Sequence, residues 1–189
     1  MTRFRSAATA LLVIGLVAAT AAASYAAGSG DDSDDRRITL RDDCDPKDPA
    51  WANLGGCARK RGNVSVAEFD AELDSPLAAA VVGHQAWRID PSYLVIKEGT
   101  TVRVKNAGGR PHTFTEVAAF GGGIVPPLNE GLSVAPECPD APVIPPGGNA
   151  RLSGLGIGNH RFQCCIHPWQ RALITVKRDN EHHQENEDD

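Results

Sequence analysis

The chain has 189 residues, a formal net charge of −5 and 23% charged residues. A chain of this length can bury one hydrophobic core of ordinary domain size. It carries no basic patch interleaved with aromatic residues, so we do not expect a nucleic acid partner. Its five cysteines are an odd number, which leaves one thiol over if the others pair.

Residues 1–27 have the pattern of a secretory signal peptide. Arg3 and Arg5 precede an apolar run at residues 11–17, and small residues continue to Ala27. The apolar run is shorter than the roughly 20 residues that span a bilayer, so we expect cleavage and no stable membrane insertion afterwards. The protein would then be secreted or held outside the cytoplasm in the cell envelope. An uncleaved N-terminal anchor is the alternative.

Residues 28–83 are predicted to form an acidic linker, a cysteine loop and short helices. The acidic run at residues 31–35 has almost nothing apolar to bury, so we expect it to be disordered. Turn-forming residues fill the stretch from Cys44 to Cys57. A disulfide between these two cysteines would stabilise a loop that has little hydrophobic core of its own.

Two helix signals follow this loop. Ser65 and Glu68 form a capping box ahead of apolar residues that share one helix face. A second short helix is expected over residues 75–82, with Pro76 in its first turn and Gly83 at its end. We interpret both as a helical extension packed against a sheet.

Residues 84–178 show the alternating pattern of strands separated by turns. Apolar residues alternate on either side of a turn at Gly99, and again over residues 171–177. This pattern predicts an all-β fold, a Greek-key sandwich. The segment 121–148 is rich in Gly and Pro and is predicted to be a surface flap. The acidic residues 179–189 are predicted to be a disordered tail.

The strongest functional signal lies near the C-terminus. Cys164, His167 and Gln170 stand three residues apart after an apolar strand. His112 lies at the mouth of another strand and is followed by an alternating Thr, Phe and Thr. A thiolate, two imidazoles and a weak axial donor suit one copper ion that cycles between Cu(I) and Cu(II). We therefore predict these four residues as metal ligands.

Strand alternation separates the two neighbouring cysteines. Phe162 must face the core, so Cys164 is directed inward with it, while Gln163 and Cys165 point to the opposite face. Cys165 can then bridge to a covering loop such as the one that carries Cys138. If Cys164 is a metal thiolate, four cysteines remain for two disulfides: Cys44, Cys57, Cys138 and Cys165. Cross-pairing among them, or a Cys138 to Cys164 bridge, stays possible.

At these residues the sequence resembles the cupredoxins. The Cys-x-x-His-Pro-Trp-Gln loop is similar to the short amicyanin type, and residues 91–106 with the His-Thr-Phe-Thr segment resemble bacterial plastocyanin-like proteins. The family usually has Met where this chain has Gln170, although Gln occupies that position in the stellacyanin branch. The resemblance implies a monomeric type 1 copper electron carrier. Its redox donor and acceptor would dock transiently on an apolar rim of Pro168 and Trp169 beside a solvent-edge His167.

Other functions are kept as alternatives. One is a copper store or delivery protein, and another is a metal-free structural sandwich, which a disulfide at Cys164 would indicate. We do not expect an enzyme, because there is one predicted copper, no second histidine cluster and no Ser/His/Asp arrangement with a spacing signal. His84 and His160 are predicted to be structural.

Overall fold

The structure is a computed structural model that describes residues 35–74, 83–129 and 131–179. The predicted signal peptide and the predicted second helix at residues 75–82 lie outside these ranges. So does the predicted acidic tail, apart from Asp179. Among the described residues, no helix has the length and apolar character needed to cross a membrane.

The described residues form two four-stranded sheets and one two-stranded pair. The strands are β1 (Asp35–Arg41), β2 (Arg88–Asp90), β3 (Tyr93–Lys97), β4 (Thr101–Asn106), β5 (His112–Thr113), β6 (Thr115–Val117), β7 (Val143–Ile144), β8 (Asn149–Leu152), β9 (Gly158–Gln163) and β10 (Arg171–Lys177). One sheet has the order β2-β1-β4-β8, the other has the order β3-β10-β9-β6, and β5 pairs with β7. The predicted all-β sandwich is confirmed.

The core lies between the two sheets and follows the predicted alternation. Val102 and Val104 of β4 are fully buried, and Ile174 of β10 lies in the same hydrophobic cluster. Phe162 of β9 stacks on Phe114 with ring centroids 4.5 Å apart. Burial of this apolar surface is the main stabilising contribution to the sandwich.

Strand β1 corrects the expectation of disorder at the end of the acidic run. The strand begins at Asp35, inside the stretch assigned to the linker, and pairs in parallel with β4 and antiparallel with β2. Its residues Ile38 and Leu40 are fully buried in the core. Two neighbouring strands and two buried aliphatic side chains order this segment, although acidic residues precede it. The first sheet therefore includes residues that precede position 84.

The first of the two predicted helices forms at its capping box, whereas the second lies outside the described residues. Helix α1 (Val66–Leu73) begins after Ser65, whose hydroxyl accepts a hydrogen bond from the Glu68 N–H at 3.1 Å. A 3₁₀ helix, Pro49–Leu54, precedes it. Phe69 from α1 and Trp51 from the 3₁₀ helix are buried in a second hydrophobic cluster, separate from the sandwich core.

Candidate metal centre

The predicted ligand loop, residues 164–170, joins two paired strands. Gln163 at the end of β9 lies opposite Arg171 at the start of β10. The loop closes on itself because the Cys164 N–H donates to the Gln170 carbonyl at 3.0 Å. The Gln170 N–H in turn donates to the His167 carbonyl at 2.9 Å. This tight closure brings three of the predicted ligands to one end of the sandwich.

The fourth predicted ligand, His112, reaches the same place from β5. Its backbone pairs with Ile144 of β7. The preceding turn is held by the buried side chain of Asn106, whose Nδ2 donates to the carbonyls of Arg110 at 2.8 Å and Ile144 at 2.9 Å. The same side chain accepts from the Gly108 N–H at 2.9 Å through Oδ1. Each donor and acceptor of this amide is used, which fixes the entry to His112.

The donor atoms of three residues converge. The Sγ of Cys164 lies 3.6 Å from Nδ1 of His167 and 3.8 Å from Nδ1 of His112. One candidate ligand atom from each of these residues lies within 4.8 Å of the others. A first-row ion such as Zn²⁺ bonds sulfur at about 2.3 Å and nitrogen at about 2.0 Å, which places the two donors about 3.7 Å apart at an angle of about 120°. The separations therefore fit a shared metal ion.

Gln170 presents its carbonyl oxygen to the same centre. Its Nε2 donates to the Arg41 carbonyl at 3.0 Å, and a carbonyl can only accept, so this contact determines the orientation of the amide. Oε1 then lies 2.9 Å from Nδ1 of His112. Gln170 is almost completely buried, at 1% exposed. The oxygen is thus placed where it could act as a weak metal ligand beside the sulfur and the two imidazoles.

The surroundings of Cys164 stabilise a thiolate. The Thr113 N–H donates to Sγ at 3.3 Å, and the hydroxyl of Thr113 accepts from the Cys165 N–H at 2.7 Å. Burial by itself raises the pKa of the Cys164 thiol. Hydrogen bonds and charges from His112 and His167 outweigh burial and hold this pKa well below its usual value. The thiolate is the form of cysteine that binds metals.

The two histidines differ in their electrostatics. Burial lowers the pKa of His112, but hydrogen bonds to Asp42 and Cys164 and their charges reverse the shift and raise this pKa to about 9. For His167, burial is the largest effect, and its pKa is lowered despite the nearby sulfur. The difference arises because His112 has a carboxylate behind it. A metal ion would replace the proton on the nitrogen that faces the sulfur.

That carboxylate belongs to Asp42, which is not among the site residues predicted from the sequence. Its Oδ2 lies 2.9 Å from Nε2 of His112, and both side chains are fully buried. Burial raises the pKa of Asp42, but hydrogen bonds from His112 and from the Gly109 N–H outweigh it and lower this pKa. One signal was present in the sequence: Ile38, Leu40 and Asp42 follow the period of two, so an acid continues a buried strand face.

His167 was expected at the solvent edge. The structure corrects this expectation, because the residue is only 4% exposed. The ring of Trp87 lies 6.4 Å from it and that of Trp169 lies 5.6 Å from it, measured between centroids. Phe69 of α1 packs on both tryptophans. Within the predicted docking rim, Pro168 is buried and Trp169 is half-buried. The helical extension packs on the ligand loop because Phe69 and Trp169 both bury apolar surface in this contact.

Two disulfides leave one thiol free. Cys44 is bonded to Cys57 and Cys138 is bonded to Cys165, the pairings that the loop composition and strand alternation favour. Among the described cysteines, Cys164 is free and buried. The Cys138 to Cys164 bridge that would indicate a metal-free sandwich is not formed in the described structure.

The predicted flap packs directly behind the ligand loop. The Ile124 N–H donates to the Cys165 carbonyl at 2.7 Å. A Cβ on Gly123 would overlap that same carbonyl, so the close approach requires glycine. With the Cys138 to Cys165 bridge, these contacts attach the flap to the residue that follows the thiolate.

The two remaining described histidines lie outside the donor set. His84 is buried against the rings of Phe69 and Trp87 and contacts Glu72 at 3.0 Å through Nε2. His160 on β9 contacts Glu116 of β6 at 2.6 Å through Nδ1 and the Gly156 carbonyl at 2.7 Å through Nε2. Both imidazoles are engaged by partners away from Cys164.

No family model and no curated protein matches the sequence. Among solved structures, the chain is similar to a purple cupredoxin from Nitrosopumilus maritimus at 17% identity and a TM-score of 0.41, with 75% of this chain and 99% of that chain covered. It is also similar to a Cu(I) form of an amicyanin mutant at 20% identity and a TM-score of 0.36, with 55% and 88% covered. A reduced amicyanin mutant matches at 23% identity and a TM-score of 0.33, with 46% and 70% covered.

Proposed function

We propose that this protein is an exported copper-binding electron carrier with one copper ion held by His112, Cys164, His167 and Gln170. The observation that carries the proposal is the convergence of two imidazole nitrogens on a buried thiolate sulfur, at separations that a single first-row ion can bridge. Thiolate with two imidazoles and a weak axial donor is a ligand set that copper occupies in electron-transfer sites. Bound copper would supply a one-electron couple between Cu(II) and Cu(I).

The protein's own residues would keep this set unchanged in both oxidation states. The Thr113 N–H holds the sulfur, and the Gln170 amide is anchored to the Arg41 carbonyl. The four ligand side chains are each 4% exposed or less, which excludes water. A site that need not rearrange lowers the barrier to gaining or losing an electron.

The same burial favours electron transfer over copper delivery. Handing over an ion requires a partner to reach the ligands, whereas an electron can cross a thin layer of protein. Trp169, which lies 5.6 Å from His167 between ring centroids, is half-buried and is the part of that layer that reaches solvent. We place the transient docking of the redox donor and acceptor on the surface around Trp169.

Export is supported by the cysteines. Two disulfides form and persist in an oxidising compartment, and the N-terminal segment has the pattern of a signal peptide. A single unpaired thiol in such a compartment needs protection from oxidation. Burial and a bound metal would provide it for Cys164.

The test is the optical and electron paramagnetic resonance spectrum after addition of one equivalent of Cu(II). We expect an intense thiolate-to-copper band with narrow copper hyperfine splitting, absent in Cys164→Ser. His160→Gln, which removes an imidazole outside the donor set, should keep the band. A colourless wild-type protein, or a band that survives in Cys164→Ser, would contradict the proposal. Copper binding with rapid transfer and no reversible redox couple would instead indicate a store or delivery protein.

A further inference from the structure

Asp42 is a buried carboxylate in direct contact with a proposed copper ligand. Its Oδ2 lies 2.9 Å from Nε2 of His112, on the side of the ring away from the sulfur. Neither side chain is exposed to solvent. Cys164 and Asp42 therefore approach the same imidazole through different nitrogens.

The carboxylate is held in place by its own set of donors. Oδ1 accepts from the Gly109 N–H at 2.8 Å and from the Cys44 N–H at 3.4 Å. Oδ2 accepts from the Arg110 N–H at 2.9 Å as well as facing His112. The backbone partners are all donors, so the group is satisfied as an ionised carboxylate. A Cβ on Gly108 would overlap this carboxylate, so the backbone of the turn lies directly against the carboxylate.

This arrangement determines which imidazole nitrogen is free for a metal. An ionised carboxylate can only accept, so Nε2 of His112 must carry a proton. Nδ1, the nitrogen that faces Cys164 and Gln170, is then left to bind the ion. A carboxylate behind a ligating histidine also raises the basicity of the ligating nitrogen. A more basic nitrogen and an added negative charge favour Cu(II) over Cu(I).

We propose, on the basis of the copper function above, that Asp42 is a positioning residue that fixes the tautomer of His112 and lowers the reduction potential of the copper site. The nearest structural explanation is that Asp42 only ties β1 to the turn before β5 through Gly109 and Arg110. That role would affect stability but not the relative affinities for the two oxidation states.

The test compares Asp42→Asn with Asp43→Asn, which removes the same charge one residue away. Asp43 contacts Arg59 at 3.3 Å and Asn63 at 3.2 Å, not His112. In Asp42→Asn, the new amide can donate to Nε2 and leave the proton on Nδ1. We expect the affinity for Cu(II) to fall about tenfold more than that for Cu(I). For a one-electron couple this is a rise in reduction potential of about 59 mV. Asp43→Asn should stay near the wild-type potential.

A second measurement on the wild-type protein does not require the variant to fold. In the diamagnetic Cu(I) form, ¹⁵N and ¹H resonances of His112 should show a slowly exchanging proton on Nε2 and none on Nδ1. A proton on Nδ1 would overturn the proposal. So would an Asp42→Asn protein that binds copper with the potential of Asp43→Asn. A wild-type protein without a copper spectrum would overturn the copper function itself, which distinguishes the two failures.

Discussion

At the scale of single residues, the candidate site depends on a charge that is buried but compensated. Cys164 is fully buried, and an isolated thiolate there would be costly. Two imidazoles and the Thr113 N–H surround the sulfur and offset that cost. The pKa of the thiol is lowered for this reason, and a bound cation would offset the same charge.

Gln170 gives a prediction at this scale. Replacing it by Met puts a softer thioether where a harder amide oxygen lies, so we expect the reduction potential to rise because Cu(I) gains stability. The lost hydrogen bond to the Arg41 carbonyl should also lower the free energy of unfolding by about 1 kcal/mol. Voltammetry and denaturant unfolding of the Gln170→Met protein measure the two effects. An unchanged potential with reduced stability would mean that Gln170 holds the backbone without binding copper.

At the scale of elements, the helical extension packs on the tryptophans that flank His167. Phe69 projects from α1 and contacts Trp51, Trp87 and Trp169 within ring distances of 4.7 to 6.2 Å. Gly83 allows the chain to pass close to Trp169. It adopts a φ of +56°, and a Cβ there would overlap the indole of Trp169. The extension is thus part of the site's environment.

Phe69→Ala tests this role. Removal of a buried phenylalanine from a packed cluster should lower the free energy of unfolding by about 3–5 kcal/mol. Water would also reach His167 more easily, so its ring protons should show stronger relaxation by a soluble paramagnetic probe. Phe120→Ala, at a position 37% exposed and in contact with Arg171, is the matched control and should cost about 1 kcal/mol or less. Relaxation of the His167 ring protons that is no stronger in Phe69→Ala than in Phe120→Ala would show that α1 does not shield the site.

At the scale of the whole molecule, the site lies where segments distant in sequence meet. His112 comes from β5, the ligand loop joins β9 to β10, and Asp42 follows β1. The Cys138 to Cys165 disulfide ties the flap to the ligand loop across 27 residues of sequence. The geometry of the site therefore depends on the assembled sandwich.

Removal of this disulfide gives the prediction at the largest scale. Opening a loop of this length by replacing both Cys138 and Cys165 with Ala should lower the free energy of unfolding by about 3–4 kcal/mol. The double variant Cys44→Ala/Cys57→Ala opens a shorter loop and should cost about 3 kcal/mol. We expect the larger shift of the copper band in the first variant, because its bridge adjoins Cys164, whereas Cys44 reaches the site only through its N–H bond to Asp42. Denaturant unfolding and absorption spectra measure both variants, and a shift as large in the second variant as in the first would contradict this assignment.

The limits of sequence reasoning are visible at particular residues. Apolar and polar residues alternate regularly along β10 and along β4, where Val102 and Val104 are the apolar residues. Both strands are predicted from this alternation. In β3 the aromatic and branched residues Tyr93 and Val95 are exposed at 57% and 39%, while Ile96 faces the core. Strand β1 follows an acidic run whose composition indicates disorder. Its pairing with β4 supplies order that composition does not reveal.

The sequence by itself determined the all-β sandwich, the capped helix α1 and the compact ligand loop. These depend on periodicity or on spacings of three residues, which act locally. Only the tertiary structure decided that Asp42 lies behind His112, 70 positions away in sequence, and that α1 packs on the two tryptophans beside His167. Contacts of this kind depend on strand order and on packing between distant segments. Both are set by burial of the whole core rather than by any local pattern.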